Sequence, residues 1–417
     1  MSISDLYNED FCETGFFDVI ESLLDYRGKT PLKLGMSWSD VETPYLALSA
    51  LNVKDNGIDT TKEAHYGTAD LYKKWMKDKP LREQQILMTT EAPAGVVMQI
   101  PDKRPYILSQ RVIALNVDPT KVDECFFAYL LRSHYVQNQI ERLCSGGTAK
   151  GISQKHLKEI KVRYPKSIKT QQKIAEFFTA LDEKIHILST QLDYLKSQKD
   201  GVMNDIFNQS IRFNSSNGHD YDEWQDVVLK DIAEVKTGPF GSLLHAEDYV
   251  ECGTPIVTTE HFKNGQLPIS AIGIPQVAQH DVERLKNYRL TYGDIVFSRV
   301  GSVDINALVE QENDGWLFSG RVLRVRVKDS IDSRFLHYAL LDKSVKKDII
   351  SRAVGLTMAS INTSILEETH ICVPKSIAEQ NKISSFIHTL DNKIMLKEQC
   401  INTMHLLKKA FMQRMFV

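Results

Sequence analysis

A basic surplus, long apolar runs, paired cysteines and compact catalytic motifs are all missing from this sequence, and each absence narrows what the chain can do. Its 51 lysines and arginines are outnumbered by 54 aspartates and glutamates, for a formal net charge of −3. The positive footprint that usually announces a nucleic-acid binder is therefore absent from the chain as a whole, and any such role must rest on local charge. No stretch approaches the roughly 18 consecutive apolar residues of a membrane helix. The acidic opening, residues 1–10, lacks the basic flank and apolar core of a secretory leader, so the chain reads as cytoplasmic with no membrane partner. Cys12, Cys125, Cys144, Cys252, Cys372 and Cys400 are scattered, without a C-x-x-C pair or clustered histidines, and read as inert thiols with no metal site.

Catalytic signatures fail in the same way. Arg27-Gly28-Lys29-Thr30 resembles the end of a phosphate-binding loop, but the earlier glycine that such a loop needs would fall at Leu23. No Asn-Pro-Pro or Asp-Pro-Pro box of an amino-methyltransferase is present, nor a glycine-rich turn that would cradle a nucleotide or S-adenosylmethionine. Catalytic residues and a resident cofactor are therefore not expected. The chain nevertheless reads as folded. At 42% hydrophobic and 25% charged it has the balance of a globular protein, and 417 residues suffice for two or three cores.

What the chain does contain is a copy of itself. Pro165-Lys-Ser-Ile-Lys-Thr-Gln-Gln-Lys-Ile174 returns as Pro374-Lys-Ser-Ile-Ala-Glu-Gln-Asn-Lys-Ile383, an offset of 209. Without a gap the same offset matches Gly146 to Gly355, Thr148 to Thr357, Leu157 to Leu366, Lys199 to Lys408, Met203 to Met412 and Phe207 to Phe416. Upstream the signal is weaker: residues 85–90 lie opposite 294–299, and Phe126-x-x-Tyr129 opposite Phe335-x-x-Tyr338. The halves are one unit used twice, alike at their ends and divergent in their first 140 or so residues.

Each half closes on a heptad helix. Ile174, Phe178, Leu181, Ile185, Leu188, Leu192, Leu195 and Lys199 step by four and three, as do Ile383, Ile387, Leu390, Ile394, Lys397, Ile401, Met404 and Lys408. A two-fold relation between the halves would pack the two helices antiparallel. Partners would then have numbers summing to about 590, which pairs Lys199 with Asp391 and Lys408 with Asp182. Residues 208–219 break the first helix and read as a linker, with the second unit opening at Trp224.

Ahead of each helix lies a region with mixed α/β patterning. Strands are expected at residues 85–90 and 111–117 and again at 294–298 and 321–327, with helical periodicity over 126–143. The alternation in 321–327 places Arg324 and Arg326 on one sheet face, with Arg321 at its start. Thr89 and Thr90 correspond to Ser298 and Arg299 at strand ends, where hydroxyls bond phosphates and an arginine reaches a phosphate or a guanine edge. A polar loop is the competing explanation for these four residues. In the loops 145–153 and 354–362, Gly146 and Gly147 would let backbone amides approach a phosphate, with Thr148, Lys150, Ser153, Thr357 and Asn362 as further donors. A tight connection that needs glycine geometry is the alternative there.

A globular region, a polar loop, Pro-x-x-x-x-x-Gln and a heptad helix, all repeated once, resemble the specificity subunits of type I restriction-modification systems. The resemblance covers nearly the whole chain, and its most specific elements are the two Pro-Lys-Ser-Ile-x-x-Gln-x-Lys-Ile segments followed by Leu-Asp-x-Lys-Ile. It implies two target-recognition domains, each reading half of a bipartite site on double-stranded DNA. It also implies two modification subunits carrying S-adenosylmethionine that methylate adenine, and restriction subunits that translocate and cleave. The expected fold is mixed α/β: two similar target-recognition domains, 1–164 and 212–373, separated by an antiparallel two-helix coiled coil formed by 165–211 and 374–417, with pseudo-two-fold duplication. Coil and partner-docking residues would be Ile174, Phe178, Leu181, Ile185, Leu192 and Lys199 on one helix and Ile383, Leu390, Ile394, Ile401 and Lys408 on the other. The acidic leader departs from the aromatic-apolar opening of the family, a role that residues 15–20 can fill. A single-chain modification-restriction enzyme is disfavoured by the missing cofactor motifs. A coiled-coil scaffold without a DNA role is disfavoured by two globular regions larger than a scaffold needs.

Overall fold

The computed structural model describes residues 10–55, 57–144, 150–215, 217–239, 248–355 and 358–416. They form two compact units, one of residues 1–190 with 399–417 and the other of residues 191–398.

The first unit is built on a four-stranded antiparallel sheet in the spatial order Ile20–Asp25, Val112–Val117, Ile86–Thr89, Val97–Gln99. Side chains alternate across a strand, and both faces of this sheet are covered. Ile86, Met88, Ile113 and Leu115 point into a core shared with the helices Glu124–Arg132 and His134–Leu143. Leu87, Met98, Val112 and Ala114 point the other way, onto Leu48, Leu71 and Trp75. That second layer contains a small sheet in which Tyr45–Leu48 pairs parallel with Ile107–Leu108 and antiparallel with His65–Gly67. Phe11–Gly15 pairs with Lys161–Pro165 and ties the start of the unit to the strand that precedes the first long helix, Ile168–Phe207. The residues just after that strand, 16–20, include Phe16 and Val19, both wholly buried, which gives the unit its apolar opening.

The second unit repeats this plan, including the part in which sequence similarity is faint. Its central sheet runs Ala233–Thr237, Val322–Val327, Ile295–Ser298, Asn306–Leu308. Thr254–Val257 pairs parallel with Leu317–Phe318, as Tyr45–Leu48 does with Ile107–Leu108. Gln225–Val228 pairs with His370–Val373 ahead of the second long helix, Ile377–Met415. The linker read at 208–219 is anchored: Arg212 donates to the backbone carbonyls of Tyr221 and Asp222 and lies 3.7 Å from the buried Glu379.

The helix expected over 126–143 is two helices, because Ser133 ends one and caps the next by accepting from the amide of Val136. Packing also groups the chain differently from the four segments read in sequence. In the first unit Ile174, Ala175 and Phe178 of the first long helix share a core with Phe411, Met412, Met415 and Phe416 from the end of the second. In the second unit Met203 and Ile206 share a core with Ile383 and Ile387. Each long helix thus begins as part of a globular core and ends in the other unit's core. Ile174, Phe178 and Ile383, read as coil or docking positions, are at most 2% exposed within those cores, so they cannot present a surface to a partner. Leu181, Leu192, Leu390 and Ile394 are half-buried, and Ile185 and Ile401 are 8% exposed, as seam positions should be.

Candidate nucleic-acid interface

The repeated motif residues hold the frame on which the loops are mounted. Gln171 is wholly buried: its Oε1 accepts from the amide of Asp123, and its Nε2 donates to the carbonyls of Pro165 (2.8 Å) and Lys121 (3.1 Å). Gln380 does the same with the amide of Asp332 and the carbonyl of Pro374, both at 2.8 Å. Asp123 and Asp332 in turn cap helices by accepting from the amides of Phe126 and Phe335. The spacing Pro-x-x-x-x-x-Gln is therefore a clamp that joins strand end, helix start and helix cap. Leaving any one of these buried backbone groups unpaired would cost about 1–3 kcal/mol.

A second repeated device fastens the helices within each unit. Asp182 accepts from Lys408 (2.5 Å) and from the Tyr129 hydroxyl (2.9 Å); Asp391 accepts from Lys199 (2.5 Å) and the Tyr338 hydroxyl (2.6 Å). Both ion pairs expected from the antiparallel register are present. Burial, first, and the neighbouring carboxylate hold both tyrosines protonated, far above the ordinary phenol range. The repeated Phe-x-x-Tyr signalled these tyrosines, but their bond to the helix aspartates was not legible in sequence.

The fold brings the two sets of candidate loops together in each unit. The carbonyl of Thr90 accepts from the amide of Ile152 (2.8 Å), and the carbonyl of Arg299 accepts from the amide of Ile361 (2.9 Å). Several candidates are used up in making that junction. Thr89, Thr90 and Ser298 are at most 4% exposed, and Thr89 closes its own turn by donating to the carbonyl of Pro93 and accepting from the amide of Val96. Arg299 is half-buried and donates to the carbonyls of Gly320 and Ile361. Ser153 and Asn362 are helix caps, accepting from the amides of His156 and Ile365. Thr89, Thr90, Ser298 and Arg299 thus have structural occupations that keep them from being freely displayed donors, whereas the caps use Ser153 and Asn362 only as acceptors and leave both exposed.

Arg324 and Arg326 do share a sheet region but are neutralised. Arg324 is 4% exposed and donates to Glu234 at 2.8 Å, and burial lowers its pKa. Arg326 makes a two-pronged contact with Asp294, 2.7 Å at each oxygen, and that bond raises its pKa. Lys150 and Arg321 are exposed beside the loop junctions. Gly146, Gly147, Thr148 and Thr357 lie outside the described residues. Gly355 has φ +112°, and a Cβ there would sit 2.3 Å from the carbonyl of Met358, so glycine closes the turn in which Val354 pairs with Ser360. Sequence reading missed Arg111, exposed at φ +63° and 3.2 Å from Glu91, where it flanks the first junction. Its unusual backbone geometry leaves no composition signal.

Among the described residues no group of three or more histidines, cysteines, aspartates or glutamates could hold a metal. Lys29, from the failed phosphate-loop motif, is committed to the carbonyl of Trp75 and lies 4.4 Å from the Tyr26 ring centre. The repeated frame, the paired loops and the matched helices coincide with a known family pattern: the model of the type I restriction modification DNA specificity domain matches residues 11–197 and again residues 221–405. The chain belongs to that family. It is 22% identical over 319 residues to the type I restriction enzyme MjaVIII specificity subunit of Methanocaldococcus jannaschii, covering 73% of this chain and 72% of that one. Its fold is similar to the crystal structure of the type I restriction-modification S subunit from M. genitalium, with a TM-score of 0.63, 17% identity and 98% and 97% of the two chains covered. It is also similar to a chain from a structure on complex assembly and conformational transition of the type I R-M system, with a TM-score of 0.57, 14% identity and 97% of each chain covered. Specificity subunits are the non-catalytic, target-recognising members of type I systems.

Proposed function

We propose that each unit of this specificity subunit reads one half of a bipartite site on double-stranded DNA, and that the chain directs adenine methylation by two modification subunits and cleavage by restriction subunits. The observation that carries this reading is the contrast within the repeat. The clamp and the tyrosine–aspartate–lysine fastening recur at an offset of 209 and the sheet order recurs with them, whereas the exposed loop residues do not: Lys150 stands opposite Ala359. Surfaces that face two copies of one partner should stay alike, and surfaces that face different bases should differ.

The repeated exposed apolar residues fit the same division. Phe177 and Phe386 are 39% and 41% exposed, and Ile187 and Leu396 are 50% and 60% exposed, at corresponding places on the long helices. They are the docking positions for the modification subunits, in place of the buried Ile174, Phe178 and Ile383. DNA contact falls to the exposed Lys150, Arg111 and Arg321 rather than to the buried hydroxyls. S-adenosylmethionine belongs to the modification subunits and not to this chain. No helix among the described residues is long and apolar enough to cross a membrane.

The test is methylation-site sequencing of DNA from cells that carry this chain and its cognate modification subunit. The expected product is one target with two short specified segments separated by unspecified bases. A single uninterrupted target, or methylation without sequence preference, would refute the reading.

A further inference from the structure

Within the first unit a cleft of about 520 Å³ opens beside the turn 93–96. Its walls are that turn, the facing ends of helices Glu124–Arg132 and His134–Leu143, and one face of the second long helix. The basic side chains that line it are Arg132, His134, His405, Lys408 and Lys409, and its acidic lining residue is Asp55, which is exposed.

These bases are not equivalent. Lys408 is engaged by Asp182. Arg132 is half-buried and held rigidly: Nε donates to the carbonyl of Val97 at 3.0 Å, and the guanidinium lies 5.3 Å from the Tyr129 ring centre. Among the described residues Arg132, His134, His405 and Lys409 have no carboxylate within ion-pair distance. The turn opposite is fixed as well, since Gln137 donates to the carbonyls of Gly95 (2.8 Å) and Leu131 (2.7 Å). A Cβ on Gly95, at φ +91°, would come 2.9 Å from Gln137 Oε1, so the wall cannot thicken. The floor between the charges is apolar, formed by Ala94, Val96 and Met412.

A half-buried guanidinium without a counter-ion carries a desolvation cost that an anion would relieve, and its free edge suits two oxygens of one phosphate. An apolar floor flanked by separated cations matches a sugar-phosphate chain better than a compact anion. We infer that this cleft is a seat for backbone phosphates of nucleic acid, with Arg132 as the rigid fork and Lys409 as the outer point charge. The inference rests on the DNA reading above and adds to it a contact that carries no base information.

The experiment uses the full chain copurified with its modification subunit and a random-sequence duplex of about 40 base pairs, since a phosphate seat needs no target. Affinity is followed across salt concentration for wild type, Lys409→Gln, Arg132→Gln with Lys409→Gln, and Lys73→Gln as a control outside the cleft. Each lost phosphate contact lowers the slope of log affinity against log salt by about 0.9. Lys409→Gln should therefore flatten the slope by about one and the double variant by about two, while Lys73→Gln leaves it unchanged and the methylated sequence is the same in all. Lys409 is exposed, so its variant keeps the test decisive even if loss of Arg132 perturbs folding. Wild-type slopes in both cleft variants would overturn the inference and leave the DNA reading intact. Intact slopes with salt-sensitive loss of the modification subunit would reassign the cleft to an acidic protein segment and overturn it too. A wild-type complex without affinity for duplex would overturn both.

Discussion

In the first unit the tyrosine of the fastening, Tyr129, is preceded by Ala128 and flanked by Cys125 and Thr179, whose side chains lie 3.5 Å apart. In the second unit the same positions around Tyr338 hold His337, Arg334 and His388. The strand residue Val97 has become Asn306, whose Oδ1 lies 2.6 Å from Nδ1 of the buried His337. At these four positions one unit thus has apolar and weakly polar groups, and the other a polar, titratable cluster. The aspartate, lysine and tyrosine of the fastening are unchanged. A duplicated frame tolerates this because the clamp and the fastening fix the backbone, which leaves the enclosed volume free to be filled by different chemistry.

The shared part is the repeated glutamine clamp, and its removal has the largest expected effect. Gln171→Leu leaves one amide and two carbonyls of the first unit without a partner, and Gln380→Leu leaves one amide and one carbonyl of the second. At about 1–3 kcal/mol for each orphaned group, the losses should be roughly 3–9 and 2–6 kcal/mol. Hydrogen exchange, which resolves the two units separately, should show the larger loss of protection in the first unit for Gln171→Leu. Equal, negligible effects would mean that the repeated motif does not hold the frame.

The private part gives the next largest effect. Burial keeps His337 neutral, with its pKa lowered to about 4 from 6.5. The unfolded chain therefore takes up this proton first, and the second unit loses stability as pH falls from about 6.5 to 4, reaching about 3 kcal/mol over that window. Asp391, Lys199, Arg334 and His388 act on the same site, but burial is the largest cause. The first unit, with Ala128 there, lacks this contribution. His337→Gln should flatten the difference between the units in a pH series of hydrogen exchange. An unchanged pH response in that variant would assign the acid sensitivity elsewhere.

The smallest effect separates the two copies of the fastening. Lys199 and Asp391 are 18% and 19% exposed, whereas Lys408 and Asp182 are 25% and 34% exposed. Double-mutant cycles to alanine should give coupling of about 1 kcal/mol for the first pair and about 0.5 kcal/mol for the second, after allowance for solvent screening. The reverse order would show that exposure does not set their worth.

Much of the frame was legible because it depends on periodicity and repetition. The heptad steps located the long helices, their register paired Lys199 with Asp391 and Lys408 with Asp182, and the alternation of residues 321–327 marked a strand. The recognition surface was far less legible. Hydroxyls and glycines at strand ends suit a phosphate contact and a chain reversal equally, and Thr89, Ser153 and Asn362 are committed to turns and caps. The charge of Arg324 and Arg326 could be read in sequence, but their cancellation by Glu234 and Asp294 could not, because those partners come from another strand and from the turn ahead of a third. Arg132 was passed over for the converse reason: a lone arginine ending a helix draws notice only once the fold shows that nothing neutralises it.

The central claim is that each unit carries its own half of the specificity on an interchangeable frame. It is tested most directly by replacing residues 11–165 with a second copy of residues 225–374, which joins corresponding strands at Pro165 and Pro374. Methylation-site sequencing with the cognate modification subunit should then find a target in which the bases of the second half-site occur twice and those of the first are gone. Survival of the first half-site's bases in the methylated target, with residues 11–165 no longer present, would contradict the account.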